Sequence, residues 1–302
     1  MDLSIIIPCH NEAGNLPALL ADIRKVMEDR PENYEIIVVD DASTDGTAGA
    51  AAGAGTRVVS HPFNLGNGAA VKSGIRAAAG DMIIMMDGDG QHPPEAIPLF
   101  LHELSKYQMV VGARGVSGHA GMHRLVANTI YNWLASYVTK FRILDLTSGF
   151  RATYRKTALR YLYLLPNTFS YPTTITMAYL RSGLGLKYVP IDAPPRGKGS
   201  RSKIRLFADG ARFFLIITRI ATIYSPFRVF LPLSAAMFLT GCGYYVYTFI
   251  TTHRFTNMSM LLMSTSVIIF MLGLVSEQIS QLRMDRTEDE DARTRGHGDA
   301  EK

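Results

Sequence analysis

Cysteine is scarce in this chain of 302 residues: Cys9 and Cys242 stand alone, which excludes a disulfide framework and a cysteine-based zinc site. Charge is sparse too. Asp, Glu, Lys and Arg make up 19% of the residues against 47% hydrophobic ones, the reverse of what keeps a chain disordered. The excess of 31 basic over 26 acidic residues leaves a net charge of +5, too mild for a nucleic-acid partner, and none is expected. The opening Met1-Asp2-Leu3-Ser4 has neither a basic stretch nor a long apolar one. No secretory signal is therefore expected, and the first domain is read as cytosolic. The histidines His61, His92, His102, His119 and His123 show no HExxH or paired spacing, and are read as loop or surface residues rather than ligands. The single Trp133 falls in a helical run at 125–137, expected to pack or to meet lipid.

Hydrophobic patterning over the first two hundred residues alternates between strand and helix. Strands are read at 3–7, 35–39, 57–60, 82–86 and 109–112, and helices at 16–27, 68–79 and 94–106, the first with Asn15 as cap and Pro17 in its opening turn. Short β-rich runs separated by helices imply a mostly parallel α/β sheet, which binds ligands at the carboxyl ends of its strands. The carboxylates fall at those ends. Met86-Asp87-Gly88-Asp89-Gly90-Gln91 closes a strand with two acids one residue apart, on one face, and an amide two residues on. The glycines let the backbone turn closely round a ligand, and two hard oxygen donors suit Mg²⁺ or Mn²⁺ bridging a diphosphate. Alone, such a run more often makes an Asp-Gly turn. Asp40-Asp41 ends another strand, where a carboxylate accepts hydrogen bonds from a base N–H or from ribose hydroxyls; Pro8-Cys9-His10-Asn11-Glu12 follows the first. The glycine-rich run 64–70 opens a helix but is a weak dinucleotide fingerprint, because a loop containing Pro62 separates it from its strand.

Composition changes after Pro190. Between 196 and 228, Arg196, Lys198, Arg201, Lys203, Arg205, Arg212, Arg219 and Arg228 are set against a single acid, Asp209. Apolar residues recur there at helical spacing while Arg205, Arg212 and Arg219 mark another face, a basic amphipathic helix suited to an anionic membrane surface. Residues 229–252 and 255–276 then carry no charge. Each run makes a helix about 33–36 Å long, enough for a hydrocarbon core of about 30 Å. A hairpin of two spanning helices, 229–252 and 257–280, keeps Arg254 in the turn and out of lipid. Arg219 and Arg228 before it and Arg283 and Arg286 after it put both flanks on the cytosolic side. The tail 283–302 mixes acids and bases with few apolar residues and is expected to be disordered.

Together, the runs SIIIPCHNE, EIIVVDDASTDGT, NLGNGAAVKSGI, MDGDGQHPP, VVGAR and DLTSGFRATYRK resemble the family 2 glycosyltransferases. The likeness is to the dolichol-phosphate-mannose-synthase-like branch that loads sugars onto polyprenyl phosphates, including its bacterial members with two C-terminal membrane helices. It covers residues 3 to about 205 and extends to the C-terminal pair. The resemblance implies an α/β GT-A fold, that of nucleotide-diphospho-sugar transferases. A cytosolic catalytic domain over 1–195 is then followed by the amphipathic segment 196–228 and a hairpin over 229–282 in the cytoplasmic membrane. It also implies the site. Pro8, His10, Glu12 and Asp41 line the nucleoside pocket, with Asp41 facing the base, and Asp87, Asp89 and Gln91 hold Mg²⁺ or Mn²⁺, with Gly88 also at the donor. Arg114 reaches the donor phosphates, Arg124 and Arg151 are candidates for the acceptor phosphate, Arg201 and Lys203 add to substrate binding, and Asp145 stands at the reaction centre. His10 departs from a more common aromatic residue and Asn67 from a frequent basic one; both bear on donor preference.

The reaction implied is inverting transfer of a sugar from a nucleotide-sugar, UDP- favoured over GDP-, to a polyprenyl phosphate such as undecaprenyl phosphate at the cytosolic face. That acceptor is already anionic near neutral pH, so Asp145 is expected to orient groups rather than take a proton, with Asp89 and Arg114 as its catalytic companions. Membrane lipids are further partners, and the resemblance implies a homotetramer. Three rivals are weighed. A processive polysaccharide synthase carries Gln-x-x-Arg-Trp, whereas Trp133 here follows Ile130-Tyr131-Asn132. A glycolipid synthase acting on a lipid hydroxyl would use Asp145 as general base. A scaffold that only binds nucleotide-sugar has no need of the acids at 40, 41, 87, 89 and 145, which are intact.

Overall fold

The computed structural model describes residues 1–114, 129, 132–137, 139–167, 170–192, 215, 218, 221–222, 225–254 and 256–298, with side chains described up to residue 282. The chain divides into two compact units, Met1–Ile216 and Ile217–Lys302.

The first unit is built on a seven-stranded sheet of order β3-β2-β1-β4-β6-β5-β7. Its strands are β1 (Leu3–Cys9), β2 (Tyr34–Asp40), β3 (Arg57–Ser60), β4 (Met82–Met85), β5 (Met109–Arg114), β6 (Arg151–Tyr154) and β7 (Leu186–Ile191). The helices are α1 (Leu16–Met27), α2 (Thr47–Gly53), α3 (Asn67–Ala77), α4 (Ile97–Leu104), α5 (Arg155–Tyr161) and α6 (Tyr171–Arg181). All neighbouring strands run parallel except β6, which lies antiparallel between β4 and β5. All seven residues of β1 are buried, as expected for a central strand covered on both faces. Leu16, Leu19, Leu20, Ile23 and Met27 form the buried stripe of α1, at the spacing of one helix face.

The expected elements are present, and β6, β7, α2, α5 and α6 are additional. Asn15 stands at the N-cap of α1, yet makes no cap bond there; its side chain donates to Glu12 Oε2 at 2.8 Å. The helix read at 94–106 begins as a 3-10 turn, Pro94–Ala96, before α4. Because β6 is antiparallel, its first residue Arg151 pairs with Met85 of β4 and Val111 of β5. The segment entering β6 therefore lies at the edge where the parallel strands end.

A polar clasp pins the opposite edge. The Ser4 hydroxyl donates to Glu35 Oε1 (2.7 Å) and accepts the Gly80 amide (2.9 Å), while Glu35 Oε1 also accepts the Ala79 amide (2.7 Å). Gly80 is thereby drawn against β1 so closely that a Cβ would lie 2.6 Å from the Leu3 carbonyl carbon.

The second unit is a hairpin of α7 (Phe227–Thr252) and α8 (Asn257–Gly298), with His253 in the left-handed conformation at the turn. Phe227–Thr251 and Asn257–Leu282 are long and apolar enough to cross a membrane, and their most apolar windows are only 11% and 17% buried. A core helix of that composition in a water-soluble protein is mostly buried instead. Close approach comes at glycine, where a Cβ on Gly273 would lie 2.7 Å from Phe230 Cβ. The buried hydroxyls of Ser234, Thr248 and Ser266 donate to carbonyls of their own helices. Helix α8 continues to Gly298 where disorder was expected; the sequence has no glycine or proline between Gly273 and Gly296, and charged residues at i,i+4 spacing support an isolated helix.

Replacing Gly80 by Ala is expected to destabilise the protein by about 1–3 kcal/mol, because backbone rather than a flexible side chain meets the new methyl. Gly49→Ala, in α2 with open space around its Cβ position, is expected to stabilise it by up to about 1 kcal/mol. Thermal unfolding of both variants checks the pair.

Candidate active site

The carboxyl ends of β1 and β2 are locked together by their own loops. Asn11 and Ala42 adopt left-handed backbone at φ 61° and 58°. The Asn11 amide donates to Ser43 Oγ (3.0 Å), the Thr44 amide to Asn11 Oδ1 (2.8 Å) and the Glu12 amide to Thr47 Oγ1 (2.9 Å). His10 Nδ1 meets the carbonyl of Asp41 at 2.8 Å. His10, Glu12 and Asp41 are thus gathered at one place, and Pro8 pairs with Val39 of β2 just before it.

The Asp41 carboxylate, 4% exposed, ties down the glycine-rich loop. Oδ1 accepts from His61 Nδ1 (2.7 Å) and the Leu65 amide (2.8 Å), and Oδ2 from the Gly66 amide (2.8 Å). Among the described residues these fill three of its four acceptor positions. Burial works to raise its pKa, but the bonds from His61 and the two amides outweigh that and hold it below the usual carboxylate range. His61 Nε2 continues the chain to Ser73 Oγ at 2.9 Å.

Asp87, Gly88 and Asp89 follow β4. Gly88 is wedged under Cys9, with its Cβ position 2.6 Å from Cys9 Sγ; burial pushes that thiol's pKa up, so it is a packing group. Asp87 is 33% exposed at its side chain. Gly149 leaves it room, since a Cβ there would lie 2.6 Å from Oδ2 and 2.9 Å from Oδ1. The Gln91 amide donates to Asp89 Oδ1 at 3.1 Å. Among the described residues, no group of three or more His, Cys, Asp or Glu could hold a metal. Two carboxylates with a side-chain amide nearby nevertheless fit a hard divalent cation whose remaining positions go to water and to a substrate's phosphates, the usual arrangement for Mg²⁺.

Arg114 ends β5 and reaches Asp145. Its Nε donates to Asp145 Oδ2 (2.8 Å), and Nη2 to Asp145 Oδ1 (3.2 Å) and Thr147 Oγ1 (2.8 Å). Burial works to raise the pKa of Asp145, yet the bonds and charge of Arg114, with those from Thr147, hold it below the ordinary range. Burial likewise works to lower the pKa of Arg114, but Asp145, Asp87 and Asp89 raise it. All three acids therefore act on one guanidinium.

Arg151 is a correction. Expected at an acceptor phosphate, it is 0% exposed. Its Nη1 donates to the Pro172 carbonyl and Thr176 Oγ1 (3.1 Å each) and its Nη2 to the Ser148 carbonyl, with the Tyr171 ring 6.0 Å away. Such a guanidinium ties α6 to the segment entering β6 and reaches no surface, its Nε buried without a partner among the described residues. His61 and His92 lie in loops, as read; His92 is buried, the His61 side chain is 8% exposed, and the two bond to Asp41 and to the Asp87 amide. Trp133 does not pack; it is exposed and stacks on Tyr137. Arg124, Arg201 and Lys203 lie outside the described residues, as do His119, His123, most of the segment 196–228 and most of 125–131.

Comparison with known proteins agrees with this geometry. The family model for glycosyl transferase family 2 matches residues 4–163, and that for the GtrB C-terminal hairpin matches 225–282. The chain is 33% identical over 160 residues to an undecaprenyl-phosphate 4-deoxy-4-formamido-L-arabinose transferase of Aeromonas hydrophila, covering 51% of this chain and 49% of that one. It thus spans about half of that relative's length. It is 30% identical to an undecaprenyl-phosphate mannosyltransferase of Micrococcus luteus, covering 63% and 82% of the two chains. Among solved structures, glucosyl-3-phosphoglycerate synthase of Mycobacterium tuberculosis, in complex with Mn²⁺ and uridine-diphosphate-glucose, matches with a TM-score of 0.58 at 21% identity over 73% of this chain and 79% of that one. That likeness is one of fold, a GT-A-like mixed sheet. The chain belongs to glycosyl transferase family 2 and carries the C-terminal hairpin of the GtrB type.

Proposed function

We propose that the protein transfers a sugar from a uridine-diphosphate sugar to a polyprenyl phosphate, with inversion, at the cytosolic face of the membrane its hairpin crosses. One observation carries the choice of acceptor: the Asp145 carboxylate is spent on Arg114 and Thr147. A carboxylate held below its ordinary pKa by a bidentate guanidinium is a poor proton acceptor near neutral pH. A lipid hydroxyl needs such an acceptor, whereas a phosphate arrives ionised. The names of the Aeromonas and Micrococcus relatives support the same acceptor class.

Asp145 acts here as an orienting group. It fixes Arg114, whose side chain is 28% exposed and whose Nη1 has no hydrogen-bond partner among the described residues, so that it can donate to an anion. Asp87, Asp89 and Gln91 would hold Mg²⁺ or Mn²⁺, which supplies charge neutralisation at the departing diphosphate; the Mn²⁺ in the Mycobacterium structure is in keeping with this. Asp41 supports uridine over guanosine. Its one remaining acceptor position suits the single imide N–H of uracil, where guanine presents two adjacent N–H donors that need two acceptors. The apolar hairpin would keep the enzyme on the bilayer that its acceptor cannot leave, and the basic flanks in the sequence support a cytosolic catalytic unit.

Nucleoside-diphosphate release from the full-length protein in detergent tests the reading, with UDP- and GDP-sugars, Mg²⁺ or Mn²⁺, and undecaprenyl phosphate or a diacylglycerol. Release of UDP that requires both metal and lipid phosphate is expected, and Asp89→Ala is expected to abolish it without changing the melting temperature. Turnover with the diacylglycerol in place of the phosphate would overturn the proposed acceptor. The Arg114–Asp145 pair also sets a pH dependence. Because the folded pKa of Asp145 lies below its unfolded value of about 3.9, its stabilisation is complete above that pH and is lost as pH falls through the folded pKa. Asp145→Asn is therefore expected to lower the melting temperature at pH 7, with the gap to wild type closing only below about pH 4.

A further inference from the structure

His92 lies in the loop between β4 and α4, is 3% exposed, and has no part in the transfer described above. Its ring is 5.2 Å from that of Phe150 and nearly parallel to it, and Phe150 in turn stacks on Phe100 at 4.4 Å. The imidazole is therefore clamped. Its Nδ1 accepts the backbone amide of Asp87 at 2.9 Å. A ring nitrogen that accepts carries no proton, so the neutral ring bears its proton on Nε2. Nε2 lies 3.8 Å from Asp87 Oδ2, too far for a hydrogen bond but close enough for an N–H dipole to act on a carboxylate. One side chain thus holds the amide of Asp87 and faces its carboxylate.

We propose that His92 is a positioning residue for the cation and diphosphate site, acting through Asp87; the proposal rests on Asp87 and Asp89 being the cation-holding acids. Packing alone does not account for the residue. A phenylalanine would stack on Phe150 equally well, but it would leave the Asp87 amide without a partner and the acid without its anchor. Groups that hold a metal-binding side chain in place are commonly worth as much to the site as a ligand, on the order of 10–100-fold in affinity.

The test is Mn²⁺ binding in the presence of UDP, with no sugar to turn over, followed by the electron paramagnetic resonance of free Mn²⁺ on the full-length protein in detergent. His92→Phe is expected to weaken Mn²⁺ binding by about 10–100-fold at an unchanged fold by circular dichroism. His92→Asn, whose Oδ1 takes the place of Nδ1, is expected to restore most of the affinity. His92→Gln, which replaces the ring at the Nε2 end only, is expected to remain weak. Wild-type affinity in His92→Phe overturns the proposal, and so does an equal loss in all three variants. Should His92→Phe fail to fold, the order of His92→Asn over His92→Gln decides alone. Failure of the wild-type protein to bind Mn²⁺ with UDP, or unchanged binding in Asp89→Ala, overturns the cation site itself and the role of His92 with it.

Discussion

The pairing of Arg114 with Asp145 joins the end of β5 to the segment that enters β6, two stretches far apart in the chain. Much of the site hangs on it. Asp145 leads through Thr147 and Ser148 to Gly149, whose missing side chain makes room for the Asp87 carboxylate. Three residues past Ser148, Arg151 holds the Ser148 carbonyl and carbonyl and hydroxyl groups of α6. Truncating Arg114 would leave the buried Asp145 carboxylate without its guanidinium. Here the same loss would also free the segment that backs the acidic loop.

The electrostatic problem at this edge of the sheet is an accumulation of acids: Asp40, Asp41, Asp87, Asp89 and Asp145 all lie at strand ends or beside them. Some are neutralised internally. Asp41 is held by two amides and His61, and Asp145 by a guanidinium. Asp87 keeps a third of its side chain exposed, and its amide rather than its carboxylate is what His92 binds. An edge of that charge suits the proposed pairing of a diphosphate with a cation better than a bare diphosphate. The same inequality separates roles among acids of one type, since a carboxylate already saturated by donors orients its neighbours and one left partly open can bind.

Local pattern carried most of the architecture. Alternation of apolar runs, with Asp or Asp-Gly at their ends, is a short-range property, so β1 to β5, the main helices and the positions of Asp41, Asp87 and Asp89 at strand ends were legible. Strands β6 and β7 were not, because four to six residues of ordinary composition become a strand only when neighbouring strands offer a place. Uncharged length made the hairpin legible in the same direct way, and His253 supplies the left-handed turn between its helices.

Arg151 shows where such reading stops. In sequence it stands in a motif shared with sugar transferases and looks like a phosphate ligand; in the fold it is a buried tie, its guanidinium bonded to the Ser148 and Pro172 carbonyls and to Thr176. His61 and His92 reverse the case: nothing in their spacing marks them as more than loop residues, yet each holds an acid or its amide in the fold. By itself, the sequence determined the sheet class, the acids at the strand ends and the apolar hairpin, all of which follow from periodicity, composition and spacing, and it carried the motifs by which the family is recognised. Tertiary structure alone decided which charged groups are spent on one another and which are left to act. Hydrogen bonding and desolvation depend on neighbours brought together from distant parts of the chain, and no local pattern encodes them.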